Sequence, residues 1–271
     1  MTGMTDTQHY FSETSVYGDD FNLDQIKQWY EEEEYGYYNL EKSSATEYSY
    51  IYNRLNDFHL YRFLTERFQV CLAYGCARGD DIAPLAPRVG RFVAIEPAEE
   101  WWSDTIAGTP ITYMKPALSG DIRAANGTFD LIVCLNVLHH IANVTHVINE
   151  FSRVAAPGAT FLFREPITSM GDWRKPRRGL TKNERGFPVR WLEKTLDNAG
   201  FEIRRRSLCM FPTTHRLAQA LGLRSGYDNI FFVWQDALIS KMTAWNLHYH
   251  RDTFLRKFAP WAASYILTKR G

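Results

Sequence analysis

Val70-Cys71-Leu72-Ala73-Tyr74-Gly75-Cys76-Ala77-Arg78-Gly79-Asp80-Asp81 is a short apolar run that breaks into a turn carrying two glycines. Successive apolar residues stopped by glycine predict a strand buried on both faces. Residues 81–89 follow as a short helix whose limits are blurred by Pro84 and Pro87. A strand, a glycine turn and a helix start put free N–H groups beside backbone that lacks Cβ atoms, so a polar ligand can approach closely. A dinucleotide turn, G-x-G-x-x-G, would need its third glycine where Asp80 stands. Two carboxylates at that point also repel a pyrophosphate, which argues against a dinucleotide.

Outward from this stretch the pattern repeats. Further strands are expected at 91–96, 111–114, 129–136, 160–164, 201–210 and 264–268. Helices are expected at 98–107, at Val144, Val147, Ile148, Phe151 and Val154 before Pro157-Gly158, and at Val189, Leu192, Leu196 and Ala199 between Pro188 and Gly200. Residues 1–20 are expected to fray, 21–34 and 41–68 to be helical, and 213–258 to form a helical stretch. Strands alternating with helices imply an α/β fold with a mostly parallel sheet covered on both faces. The expected division is a helical lid over 1–69, a core over 70–211, a helical insertion over 212–261 and a returning last strand over 262–271. In such sheets ligands sit at the carboxyl ends of the strands.

The chain has 271 residues, 45% apolar and 23% charged, which excludes wholesale disorder. Thirty-one Lys+Arg balance thirty-one Asp+Glu, which argues against a nucleic-acid binder. Cys71, Cys76, Cys134 and Cys209 lack metal-site spacing and read as reduced thiols. With no signal-peptide pattern and no apolar run of the ~18 residues a membrane span requires, a cytoplasmic protein is expected. The charge is uneven. Residues 1–50 hold eleven acids and two bases, and residues 164–206 hold twelve bases and six acids. These runs are either solvated surfaces touching each other or an aromatic lid and a basic loop around a polar substrate.

Gly75-Cys76-x-x-Gly79, Ile95-Glu96, the run from Phe129 through Asn136-Val137-Leu138-His139-His140-Ile141, and Arg153-Val154-x-x-Pro157-Gly158 together resemble the class I S-adenosylmethionine (SAM)-dependent methyltransferases. The match in order and spacing covers roughly residues 70–210. The resemblance implies a Rossmann-like seven-stranded sheet with one antiparallel strand, helices on both faces and a helical cap from the N-terminus and the last inter-strand insertion. It implies SAM as cofactor. Gly75, Cys76, Ala77 and Gly79 would line its methionine part, Glu96 and Pro97 its ribose, Asp121 and Ile122 its adenine, and the Asn136 backbone would touch it. Two departures stand out: Ala73 replaces the family's usual acid, and Ala77 its middle glycine. The contact to the methionine ammonium must then come from elsewhere.

Methyl transfer from a sulfonium has a good leaving group, so the enzyme mainly positions the acceptor and removes its proton. His139 is read as the base, His140 as structural, and Glu165 as orienting His139 or holding an acceptor hydroxyl. No ligand spacing points to a metal. The polar stretch 169–186 is long enough to be functional, with Trp173, Arg174, Arg177 and Arg178 as acceptor contacts and Tyr38 in the aromatic roof. These residues suggest a SAM-dependent O-methyltransferase of a small polar acceptor. A sugar, on a nucleotide or at a glycan end, is the first choice, with polysaccharide biosynthesis as the setting. The rivals are an N- or carboxyl-methyltransferase and a binding protein that has kept the fold but lost transfer.

Overall fold

The computed structural model describes residues 10–43, 50–172, 175–177 and 179–271, with the side chains of 34–43 left out. The strands are β1 (Phe68–Tyr74), β2 (Val89–Ile95), β3 (Thr105–Ile106), β4 (Thr109–Met114), β5 (Phe129–Leu135), β6 (Ala155–Pro166), β7 (Phe201–Cys209) and β8 (Ala262–Lys269). The helices are α1 (Leu23–Ser43), α2 (Asn53–His59), α3 (Val144–Val154), α4 (Val189–Asn198), α5 (Thr214–Ala220) and α6 (Ile230–Met242).

All strands join one sheet in the order β3-β4-β2-β1-β5-β6-β8-β7. β4, β2, β1, β5 and β6 run parallel, and β8 is antiparallel to both β6 and β7. β1 is central and its last four residues are buried, as expected for a strand covered on both faces. On one face, Val147, Ile148 and Phe151 of α3 and Leu192 and Leu196 of α4 pack on Ile132, Phe161 and Phe163. On the other, Leu60, Tyr61 and Leu64 pack with Ala73, Phe92 and Leu162.

Seven strands were expected and eight are present. The helix expected over 98–107 is replaced by a 3-10 turn, Glu99–Trp101, and by β3, which hairpins onto β4. Ala107 and Gly108 connect them at φ 47° and 84°, the left-handed pair that a two-residue hairpin loop requires. Trp102 stacks on Tyr113 at 5.3 Å, folding the segment back onto β4. The helix expected over 81–89 is a 3-10 turn, Ala83–Arg88, because Pro84 and Pro87 remove the N–H groups that an α-helix needs. The stretch 213–258 divides into α5, α6 and short 3-10 turns.

The cap is fastened by Asp236, a fully buried residue of α6. Its carboxylate accepts from Met210 N–H (2.8 Å), Phe211 N–H (2.7 Å) and Thr214 Oγ1 (2.8 Å), just past β7. Asn229 caps the same helix by accepting from Phe231 and Phe232 N–H. Asp236→Ala leaves three buried donors without an acceptor and is expected to cost roughly 3 kcal/mol or more, read as a lower midpoint in urea unfolding with the slope unchanged.

Candidate functional site

The β1 turn is shaped by its neighbours. Gly75 has φ 67°, and a Cβ there would lie 2.6 Å from Val137 Cγ1. A Cβ on Gly79, at φ 81°, would overlap Ile106. Ala77 takes φ 47° although it is not glycine, a left-handed conformation costing roughly 1–2 kcal/mol. Its N–H donates to Glu96 Oε2 at 2.8 Å, and Ala98 N–H donates to Oε1 at 3.2 Å. Glu96 is only 3% exposed, and burial pushes its carboxyl above the usual range. Each oxygen keeps a second lone pair for a hydroxyl donor. Pro97 lies beside it, exposed.

The adenine candidates divide. Asp121 is exposed, accepting from Ser119 Oγ at 2.7 Å and facing His146 Nε2 at 2.8 Å. Ile122 is buried in the core, and its N–H donates to Glu150 at 2.8 Å. Asn136, at φ 60°, donates its N–H to Arg164 O at 2.7 Å.

Val137, the residue that Gly75 makes room for, starts the second half of the site. Its N–H and that of Leu138 donate to Glu165 Oε1 at 2.8 and 2.7 Å. Glu165 Oε2 lies 2.7 Å from His139 Nδ1. Glu165 has no exposed surface. His140 instead faces Glu33 of α1, Nδ1 to Oε2 at 2.9 Å. Burial and then the charge of His139 hold the His140 imidazole below its ordinary pKa, against the pull of Glu33. Burial raises the Glu33 carboxyl, but hydrogen bonds from His140, Thr181 and Asn183 outweigh it and the net shift is downward. The pair is therefore a neutral imidazole donating to a carboxylate. Ligand atoms of His139, His140 and Glu184 lie within 4.8 Å of one another. Among the described residues this is where a divalent cation would be held.

The acidic and basic runs meet here. Glu33 accepts from Thr181 Oγ1 (2.6 Å) and Asn183 N–H (2.9 Å), and Glu32 pairs with Lys182. Arg177 donates to the carbonyls of Met170, Thr181, Lys182 and Glu184, bracing its own loop. Trp173, Arg174, Arg178 and the Tyr38 side chain lie outside the described residues. Arg185 is fully buried and donates to the carbonyls of Tyr17, His139 and Ala142. Burial lowers its pKa to about 10. The sequence alone singles out neither Glu33 nor Arg185. A signal for Glu33 exists: Ile26, Trp29, Tyr30 and Glu33 share one helical face, and Ile26, Trp29 and Glu33 are buried.

A family model described as "Methyltransferase domain" matches residues 48–230, two thirds of the chain. The chain belongs to the methyltransferase-domain family. It is a SAM-dependent methyltransferase of class I. The sheet order, with its antiparallel β8 between β6 and β7, agrees with that class. Solved structures share the fold. A SAM-dependent methyltransferase from Mesorhizobium loti has TM-score 0.50 and 14% identity, over 75% of this chain and 92% of that one. A Bacillus halodurans protein has TM-score 0.51 and 14% identity, over 77% and 95%. The [4+2]-cyclase SpnF has TM-score 0.51 and 16% identity, over 80% of each chain. No curated protein matches the sequence. The turn at Gly75 and Gly79 has no room for a Cβ against Val137 and Ile106, and Glu96 accepts from the Ala77 N–H of the same turn with lone pairs left for hydroxyl donors such as those of a ribose.

Just after the turn lies Asp81, buried, with Oδ1 unpartnered. Burial raises its pKa to about 7. A raised folded-state acid binds a proton that the unfolded chain has released, so its contribution to stability falls as pH rises from about 4 to about 7. His59, also buried and lowered to about 3 by burial, acts in the opposite sense as pH falls below about 6.5. The contribution of Asp81 is therefore isolated by difference. The melting temperature of Asp81→Asn minus that of the natural protein is expected to increase from pH ~4 to pH ~8; a constant difference across that range would contradict the assignment.

Proposed function

We propose that the enzyme transfers the SAM methyl group to a hydroxyl of a small polar acceptor, with His139 as the base. The observation that carries this reading is the His139 Nδ1–Glu165 Oε2 contact of 2.7 Å. Glu165 Oε1 already accepts two backbone N–H groups, so the carboxylate is aimed at the ring. Nδ1 is then the protonated nitrogen, and Nε2 carries the lone pair that takes the hydroxyl proton. An amine acceptor would not need a base fixed in this way. A neutral sugar suits the loop better than an anionic acceptor, because Arg177 is spent on loop carbonyls.

SAM supplies a methyl group on a positively charged sulfur, ready to leave with its bonding electrons on the sulfur. In this reading Gly75, Cys76, Ala77 and Gly79 receive the methionine end. Glu96 accepts from the ribose hydroxyls, with Pro97 beside it. Asp121 accepts from the adenine amino group. Ile122 contributes packing beneath the ring, since its N–H is committed to Glu150. Asn136 bounds the site through its backbone. Glu33 and Arg185 hold the His139-His140 loop in place, and α1 excludes water from it.

Two outcomes are expected. Glu96→Ala should weaken SAM binding at least tenfold by calorimetry, since charge-assisted hydrogen bonds of roughly 1.5–3 kcal/mol each are lost. His139→Ala should lower kcat about 10²–10⁴-fold with SAM affinity within a few-fold, and Glu165→Gln should act in the same direction. His140→Ala should mainly lower thermal stability. Equal effects of His139→Ala and His140→Ala on turnover would remove His139 as base. The acceptor itself is sought by incubating enzyme and SAM with a metabolite extract and looking for a mass gain of one methyl group.

A further inference from the structure

The helical insertion carries an unusual surface. Among the described residues, twelve of the fifteen exposed large apolar side chains fall between Leu217 and Phe258. Their placement is regular. Phe231, Trp234, Leu238 and Met242 follow one another at steps of three and four along α6, on one face of the helix. They are 69%, 61%, 46% and 66% exposed. The opposite face, with Phe232, Val233 and Asp236, is the one packed inward. Trp245, 83% exposed, follows in the 3-10 turn after α6. Asn246 Nδ2 donates to Leu255 O (2.7 Å) and Phe258 O (3.1 Å), so exposed Leu255 is tied beside that turn. The α6 stripe forms an apolar ridge, and further exposed apolar residues follow it in the chain.

The charges around the ridge are mostly positive. Between residues 212 and 261 the sequence holds six Lys+Arg and three Asp. Of the acids, Asp236 is buried under the cap, Asp252 is paired with Arg256 at 2.8 Å, and Asp228 is exposed. Arg216, Arg224, Lys241 and Lys257 are exposed. This cationic excess stands out in a chain with no net charge. No helix among the described residues is long and apolar enough to cross a membrane.

We infer that this cap is a docking surface for an anionic lipid bilayer, lying in the membrane interface without spanning it. Tryptophan and phenylalanine belong at the level where apolar chains meet headgroups, and surrounding lysines and arginines add attraction to anionic lipids. A second copy of the chain is a poorer occupant: a two-fold contact over the ridge would set the same basic residues against each other. The cap also lies against the core near the site. Tyr227, in the α5–α6 connection, stacks on Tyr52 at 5.7 Å, and Tyr52 lies under the Arg164 guanidinium at the end of β6.

The test is co-sedimentation of the full chain with vesicles of phosphatidylcholine alone and of phosphatidylcholine and phosphatidylglycerol in equal parts. The expected result is pelleting with the anionic vesicles only, reduced by added salt. Trp234→Ser with Trp245→Ser should lower the partition coefficient at least tenfold, and Arg224→Glu with Lys241→Glu should also lower it. SAM affinity should be unchanged in both variants, which reports that they fold and separates this inference from the methyltransferase reading. Lack of pelleting with anionic vesicles would overturn the inference. A dimer in sedimentation velocity that Trp234→Ser dissociates would overturn it in favour of a second copy.

Discussion

A carboxylate with no exposed surface holds the candidate active site together. Glu165 ends β6 and accepts from the backbone of Val137 and Leu138 and from the ring of His139. A buried carboxylate is tolerable only when its lone pairs are met by donors. That requirement fixes the path of the chain after β5, since both N–H groups must face the end of β6. It also sets Val137 against Gly75, so that the β1 turn and the β5 corner are built as one piece. The proposed base and the proposed cofactor cradle are thereby held in a common frame.

Around this frame the N-terminal part acts as a clasp. Glu33 and Glu32 of α1 hold residues 181–183, and Trp29 donates its indole N–H to His140 O at 2.7 Å. Arg185 fastens three carbonyls from the same region while stacking on Trp29. A buried guanidinium without an adjacent carboxylate is costly, and here the cost is offset by carbonyl acceptors and an aromatic face. The opposed charge runs at 1–50 and 164–206 are thus partly an internal contact. Of the arginines proposed for the acceptor, Arg177 belongs to the architecture of the loop.

After the β1 turn the chain is tied to the second layer by the Tyr61 hydroxyl, which donates to the backbone carbonyl of Asp81, and the Asp81 carboxyl keeps one oxygen without a partner.

The sequence by itself determined the α/β class, most of the strand segments and the glycine turn after β1. These are local matters: apolar runs bounded by glycine and proline define strands, and a turn's glycines record where backbone must pass closely. It misread residues 98–107, where a left-handed Ala107-Gly108 turn and Trp102 stacking on Tyr113 outweighed helical propensity. The sequence offered Glu165 as a partner for His139, but only the tertiary structure brought Glu33 to His140. Glu33 is 107 residues from His140 and Glu165 is 26 from His139, and no local pattern fixes the geometry of such contacts. They follow from burial, because each inward carboxylate had to find donors wherever packing brought them.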